Sequence, residues 1–245
     1  MKRSGFHARP ALPALVALLP LFLAAGPAPA HDLWLESSAR GLTLYHGHPP
    51  GLAHDDSAPK EAPIETVLRV DCFGINASGE SRDSIAGYPV DFGGGCAAAC
   101  ALLSSGYWTK TPYGTKNVPK NEATQPLSSW LSFESVKRIE RWSDAFAGPL
   151  TADLEIVPLH DPFALRDGDK LRLLVALEGK PVPGAIVLYD GKPRGETDAD
   201  GLVNIRLRRA GIQLIVASLR TPLASEKADE TVRTATLVFD LEEKE

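Results

Sequence analysis

The sequence predicts an all-β protein built from two β-sandwich domains, with one short helix in the N-terminal half. Three observations carry this prediction. The 245-residue chain holds 20 Pro and 21 Gly, which break it into short pieces. Those pieces alternate apolar and polar residues between turn signals, which is the pattern of half-buried strands stacked as sandwiches. The texture also changes along the chain. From His31 to about Gly148 it is loop-rich and holds every Cys and Trp, whereas from Leu150 onward it reads as strand, turn, strand. Ala147-Gly148-Pro149 is the expected boundary, giving residues 1–30 as a signal peptide, 31–149 as an N-terminal histidine-containing β domain and 150–245 as a C-terminal β-sandwich.

The leader rests on a three-part layout. Lys2, Arg3 and Arg9 form a basic head, an apolar stretch runs from Ala11 to Ala25, and Ala28-Pro29-Ala30 supplies small residues for cleavage. The apolar run is short for a membrane span and is interrupted by Pro13 and Pro20. The expected product is therefore periplasmic, exported through a cleaved signal peptide and not membrane-embedded.

The expected strands are Leu33–Glu36, Leu42–Tyr45, Thr66–Cys72, Ala97–Leu103, Leu154–Pro158, Lys170–Leu177, Ala185–Tyr189, Leu202–Leu207, Ile212–Leu219 and Ala235–Leu241. The helix is expected over Ser129–Ala145, where Trp130, Phe133, Val136, Ile139 and Trp142 recur at intervals of three.

In the C-terminal half, Gly179–Gly184 makes a tight turn before Ala185–Tyr189, and Asp190-Gly191 reads as a hairpin turn. Thr197-Asp198-Ala199-Asp200-Gly201 is a second turn, followed by alternation from Leu202 to Leu207. Asp198 and Asp200 read as an Asx-type turn rather than a calcium loop, because Arg209 stands where such a loop would need a Glu. These forty or so residues resemble the carboxypeptidase regulatory-like and transthyretin-like modules, with Leu214 replacing their final aromatic. The resemblance implies Ig-like or transthyretin-like sandwich architecture and says little about function.

Three cysteines are present: Cys72, Cys96 and Cys100. One disulfide is expected in an oxidising compartment. A Cys72–Cys96 bridge would pin two neighbouring strands and is preferred, because Cys100 sits inside an apolar run and reads as a small buried hydrophobe. Removal of the three basic leader residues leaves 23 Lys and Arg against 31 Asp and Glu, a net charge near −8. With no basic cluster to follow a phosphate backbone, nucleic acid is a poor partner.

Four of six histidines, His31, His46, His48 and His54, fall within 24 residues. Cleavage after Ala30 would make His31 the new N-terminus and give one residue two nitrogens, an α-amine and an imidazole, for one metal ion. If the strand LTLY continues, His46 and His48 share a face, about 7 Å apart by strand rise. His54-Asp55-Asp56 then returns after the Pro49-Pro50-Gly51 turn with a third imidazole. A nitrogen-rich set of this kind suits Ni(II), Cu(II), Co(II) or Zn(II) over Mg(II) or Ca(II). Binding would be proton-linked, weakening from about pH 8 to about pH 6 as the amine and imidazoles take up protons. His160 reads as an ordinary surface histidine. The block SSGYWTKTPYGTKNVPK reads as a long structured loop with Tyr107 and Trp108 packed inward, or as the wall of a ligand cleft.

The sequence HDLWLE, LTLYHGH, SGYWTKTPYGTKNVPK, SWLSFESVKRIERW and LEIVPLHDPFALRDGDKLRLLV together resemble a periplasmic family of unknown-function domains associated with nickel and cobalt uptake. The resemblance spans nearly all of the chain after residue 30. It implies a non-enzymatic accessory protein that binds Ni(II), or Co(II), and hands it to an inner-membrane nickel/cobalt transporter. By that likeness His31, His46 and His48 are carried over as ligands, with His54 as an added candidate. Two other readings stand beside it. One is a copper enzyme using His31 as a histidine brace, which peroxide production by the copper-loaded protein would reveal. The other is a carbohydrate-binding or adhesive β-module, in which the aromatic block would matter and the histidines would not.

Overall fold

The strands expected from alternation all form in the computed structural model, which describes residues 32–47, 59–83 and 85–242. Among these residues the chain makes β1 Asp32–Ser38, β2 Gly41–Gly47, β3 Lys60–Glu61, β4 Val67–Phe73, β5 Gly79–Arg82, β6 Ala98–Thr111, β7 Gly114–Lys116 and β8 Ser128–Ile139. It continues with β9 Glu155–Pro158, β10 Lys170–Leu177, β11 Lys180–Pro181, β12 Ile186–Tyr189, β13 Lys192–Glu196, β14 Leu202–Arg206, β15 Gly211–Pro222 and β16 Glu230–Leu241.

A nine-stranded sheet, ordered β13-β12-β15-β16-β8-β6-β4-β5 with β7 beside β6, forms the centre of the fold. The three-stranded sheet β1-β2-β3 packs on one face, and the four-stranded sheet of β9, β10, β11 and β14 packs on the other. Two-sided burial follows from the period of two along a strand. In β6, Ala99, Ala101 and Leu103 join the core beneath the small sheet, while Ala98 and Cys100 join the core beneath the four-stranded sheet. In β16, Val238 faces the first core and Leu237 and Phe239 the second.

The helix expected over Ser129–Ala145 is not there. Ser128–Ile139 is strand β8, and only Asp144–Phe146 is helical, as one 3-10 turn. The apolar interval of three misled because β8 is covered on both faces. Odd steps of three alternate sides, so Val136 enters the first core and Ile139 the second. A strand buried on both sides has no polar face to give it a period of two.

β8 pairs antiparallel with β6 and parallel with β16, from Trp130↔Glu230 to Arg138↔Val238. This parallel pair runs the sheet across the boundary expected near Gly148, and residues 31–245 cluster as one compact unit.

Local chemistry in the C-terminal half matches its turn signals. Asp190 (φ 51°) and Gly191 (φ 67°) both take positive φ between β12 and β13, as a type I′ hairpin turn requires. Asp198 Oδ1 accepts from the amides of Asp200 and Leu202, which closes the Asx turn. Gly201 has no room for a side chain, since a Cβ there would lie 2.8 Å from Val182 N and 2.9 Å from Val175 O.

Cys72 and Cys96 form the disulfide, tying β4 to the segment before β6, while Cys100 is a buried free thiol whose pKa is pushed up by burial. Beside it, Lys137 Nζ donates to Glu155 Oε1 at 2.7 Å, and both side chains are almost wholly buried (2% and 3% exposed). Glu155 also accepts from the amides of Leu150 and Thr151 and from the Thr151 hydroxyl, so its remaining lone pairs are satisfied. Breaking a buried pair leaves an uncompensated charge. Lys137→Met should destabilise the protein by about 3–5 kcal/mol, and pairing it with Glu155→Leu should recover only part of that, because the two amides would lose their acceptor; urea unfolding midpoints measure both. Loss of the disulfide through Cys72→Ala with Cys96→Ala, across a sequence separation of 24, should lower stability by about 3–4 kcal/mol on chain-entropy grounds, read in the same unfolding experiment.

Candidate functional site

Strand β2 positions the only one of the four clustered histidines that falls within the described residues. Leu42 and Leu44 are buried, and His46 follows at the same parity, so it too faces the large sheet. Its neighbours across the strand ladders are Leu33 on β1 and Lys60 on β3. On the opposite side of the small sheet Trp34 stacks on Tyr45, with ring centroids 5.7 Å apart. His31, His48 and His54 lie outside the described residues, as do Asp55 and Asp56. Among the described residues, no group of three or more His, Cys, Asp or Glu side chains is placed to hold a metal ion. His160 lies apart, between β9 and the 3-10 turn Pro162–Ala164.

His46 lines a cavity of about 200 Å³ at the end of the small sheet. Leu33, Ala62, Pro63 and Thr66 close it on one side, and Leu103, Ser105 and Glu134 of the large sheet close it on the other. Glu134 is the member that sequence reasoning missed, because its segment was read as a helix. Read as a strand, it stands two residues before Val136, which places it on the face that carries the small sheet.

Next to the cavity the β6–β8 ladder is irregular. Leu103 pairs with Glu134 and Gly106 with Ser132, so Ser104 and Ser105 together oppose Phe133. This is a β-bulge, a device that redirects side chains and recurs beside functional sites. Local hydrogen bonds replace the lost ladder. Ser104 Oγ donates to Ser132 O at 2.8 Å and accepts from Gly106 N at 3.2 Å. Trp108 Nε1 donates to Ser105 Oγ at 2.9 Å, and Asn117 Nδ2 donates to the carbonyls of Ser105 and Tyr107, both at 2.8 Å. Gly106 takes φ 76°, the left-handed region that a side chain resists. The bulge leaves Ser105 on the cavity wall beside Glu134.

The electrostatic feature of the cavity is Glu134. Burial pushes the Glu134 carboxyl above its ordinary pKa, and no hydrogen bond or ion pair to it occurs among the described residues.

The aromatic block is a hairpin of β6 and β7 rather than a long loop. Tyr107 and Trp108 are half-buried, and cations cover several rings of this region: Lys227 lies 5.8 Å from the Tyr107 centroid, Arg220 6.0 Å from Trp130 and Arg233 5.6 Å from Phe133. Tyr113, at the hairpin tip, is 77% exposed.

A comparison with known protein families matches residues 28–221 to the domain of unknown function DUF4198. The chain belongs to the DUF4198 family. The match crosses the expected domain boundary and takes in His46, Ser105 and Glu134, so the cavity lies inside the DUF4198 region. Comparisons with curated proteins and with solved structures find no match. No helix among the described residues of this DUF4198 chain is long and apolar enough to cross a membrane.

The raised Glu134 pKa has a definite thermodynamic sign. A carboxyl with a higher pKa in the folded state than in the unfolded chain holds its proton longer when folded, so stability falls as pH rises through that interval and the deficit persists above it. Glu134→Gln should therefore leave the protein more stable than the parent at neutral pH, with the difference shrinking toward pH 3; melting curves across pH would show it, and equal melting points at neutral pH would count against a carboxylate without a counter-charge.

Proposed function

We propose that this DUF4198 chain is an exported, periplasmic transition-metal-binding protein that takes Ni(II) or Co(II) as cargo for an inner-membrane nickel/cobalt transporter, and acts by binding rather than catalysis. The observation that supports this most is the setting of His46. It does not stand on open surface; it faces a cavity that is also lined by Glu134, which has no hydrogen bond or ion pair among the described residues. A neutral imidazole and a carboxylate are both ligands for borderline divalent ions, and Cu(II) and Zn(II) suit them as well. His31, His48 and His54 supply the further nitrogens in this reading, on the sequence argument that four of six histidines cluster there. Cleavage after Ala30 would free the His31 amine only outside the cytoplasm, so the complete donor set would arise on export.

Three features of the fold fit a carrier. The Cys72–Cys96 disulfide suits an oxidising compartment. The cavity opens where two sheets meet, a place for a ligand held between rigid elements. The covered faces of Tyr107 and Trp130 leave less ring surface for stacking on sugars, which weighs against a carbohydrate-binding module.

Calorimetric titration of Ni(II), Co(II), Cu(II) and Zn(II) into the protein beginning at His31 is the direct test. His46→Ala and His48→Ala should each weaken binding by more than about tenfold, the low end of losses seen even for supporting residues. One extra Ala ahead of His31 should weaken it as well, by removing the amine chelate. Binding no tighter than that of an isolated surface histidine would sink the proposal.

A further inference from the structure

We infer that Glu134 is a direct ligand of the bound ion, so that the cargo sits against the large sheet in a mixed imidazole–carboxylate set with His46 rather than in an all-nitrogen one. This rests on the metal-binding reading above and specifies its chemistry.

The Glu134 carboxylate is costly where it stands. A charged group withdrawn from water needs a donor or a counter-charge. Other withdrawn acidic side chains of this fold have one. Asp71 and Asp153 share Arg69, Glu155 holds Lys137, Glu140 holds Arg138, and Asp190 holds Arg209. Glu134 is half-buried and has no such partner among the described residues, although it sits on a central strand where an apolar side chain would pack. Its counter-charge is absent from the described protein atoms, and a divalent cation in the cavity would provide it.

Geometry supports the same assignment. Glu134 lies opposite Leu103, the last regular pair before the bulge, and its carboxylate and His46 line one cavity from opposing sheets. Ser105, whose hydroxyl accepts from Trp108 Nε1 at 2.9 Å, lines the same cavity and adds a polar group to its wall. Arg220, Val232 and Ser132 continue the same face of the sheet beyond the cavity, and the polar lining stays confined to His46, Thr66, Ser105 and Glu134.

The test uses CoCl2 and the protein beginning at His31, with both affinity and the visible Co(II) absorption bands as readouts. Glu134→Gln keeps the shape and removes the charge. It should lower Co(II) affinity by about 10- to 100-fold and change the band positions and intensities, because an oxygen donor leaves the coordination sphere. Glu134→Asp should fall between parent and Gln in affinity and give a third spectrum, which guards against a Gln variant that folds poorly. Combining Glu134→Gln with His46→Ala should cost less than the two separate losses together, since both act on one ion. If Glu134→Gln binds Co(II) within twofold of the parent with an unchanged spectrum while His46→Ala is impaired, this inference falls and the metal-binding reading stands. If the parent itself binds no ion, both fall.

Discussion

The parallel pairing of β8 with β16 holds the architecture together. It joins residues far apart in sequence, from Trp130 beside Glu230 to Arg138 beside Val238, in the middle of a sheet covered on both faces. A central strand of this kind cannot fray into solvent, and every backbone group in it must find a ladder partner. The charged residues that accompany the pair are built into the same constraint. Arg138 reaches Glu140 and Asp240, and Lys137 reaches Glu155 beneath the four-stranded sheet. The sheet therefore tolerates two buried cations in a central strand only because each is answered.

The candidate site is a local exception to that rule. β8 carries Glu134 only two residues from Val136, yet no partner comes with it among the described residues. The exception coincides with the only place along the β6–β8 ladder where the register shifts. The Ser104 and Ser105 bulge and the left-handed Gly106 open the sheet beside Glu134, and Trp108 and Asn117 hold the opened segment rigid. Uncompensated charge, a bulge and a short cavity at a sheet junction are the departures from local consistency expected at functional sites. The small sheet completes the cavity by delivering His46 from the other side, at the end of a strand whose inward face is otherwise leucine.

Much of the fold is legible in the sequence, and the parts that are not share one physical cause. Strands with one wet face, such as β10 and β14, showed themselves through alternation, and the turn at Asp190-Gly191 through the residue types that accept positive φ. β8 did not, because burial on both faces removes the polar face that alternation depends on, and what remained looked helical. The same error hid Glu134, since a residue assigned to a helix could not be placed on a sheet face opposite His46.

The sequence by itself determined the all-β class, the ten strands with local patterns and the Cys72–Cys96 pairing, because each follows from side-chain period, turn stereochemistry or residue environment within a short stretch. The tertiary structure alone decided that the two halves share one sheet, that β8 is a strand, and that a carboxylate more than eighty residues downstream meets His46 across a cavity. Those are consequences of which strands pair at long range, and pairing is settled by burying both faces of the sheet at once, a condition on the whole chain that no local window contains.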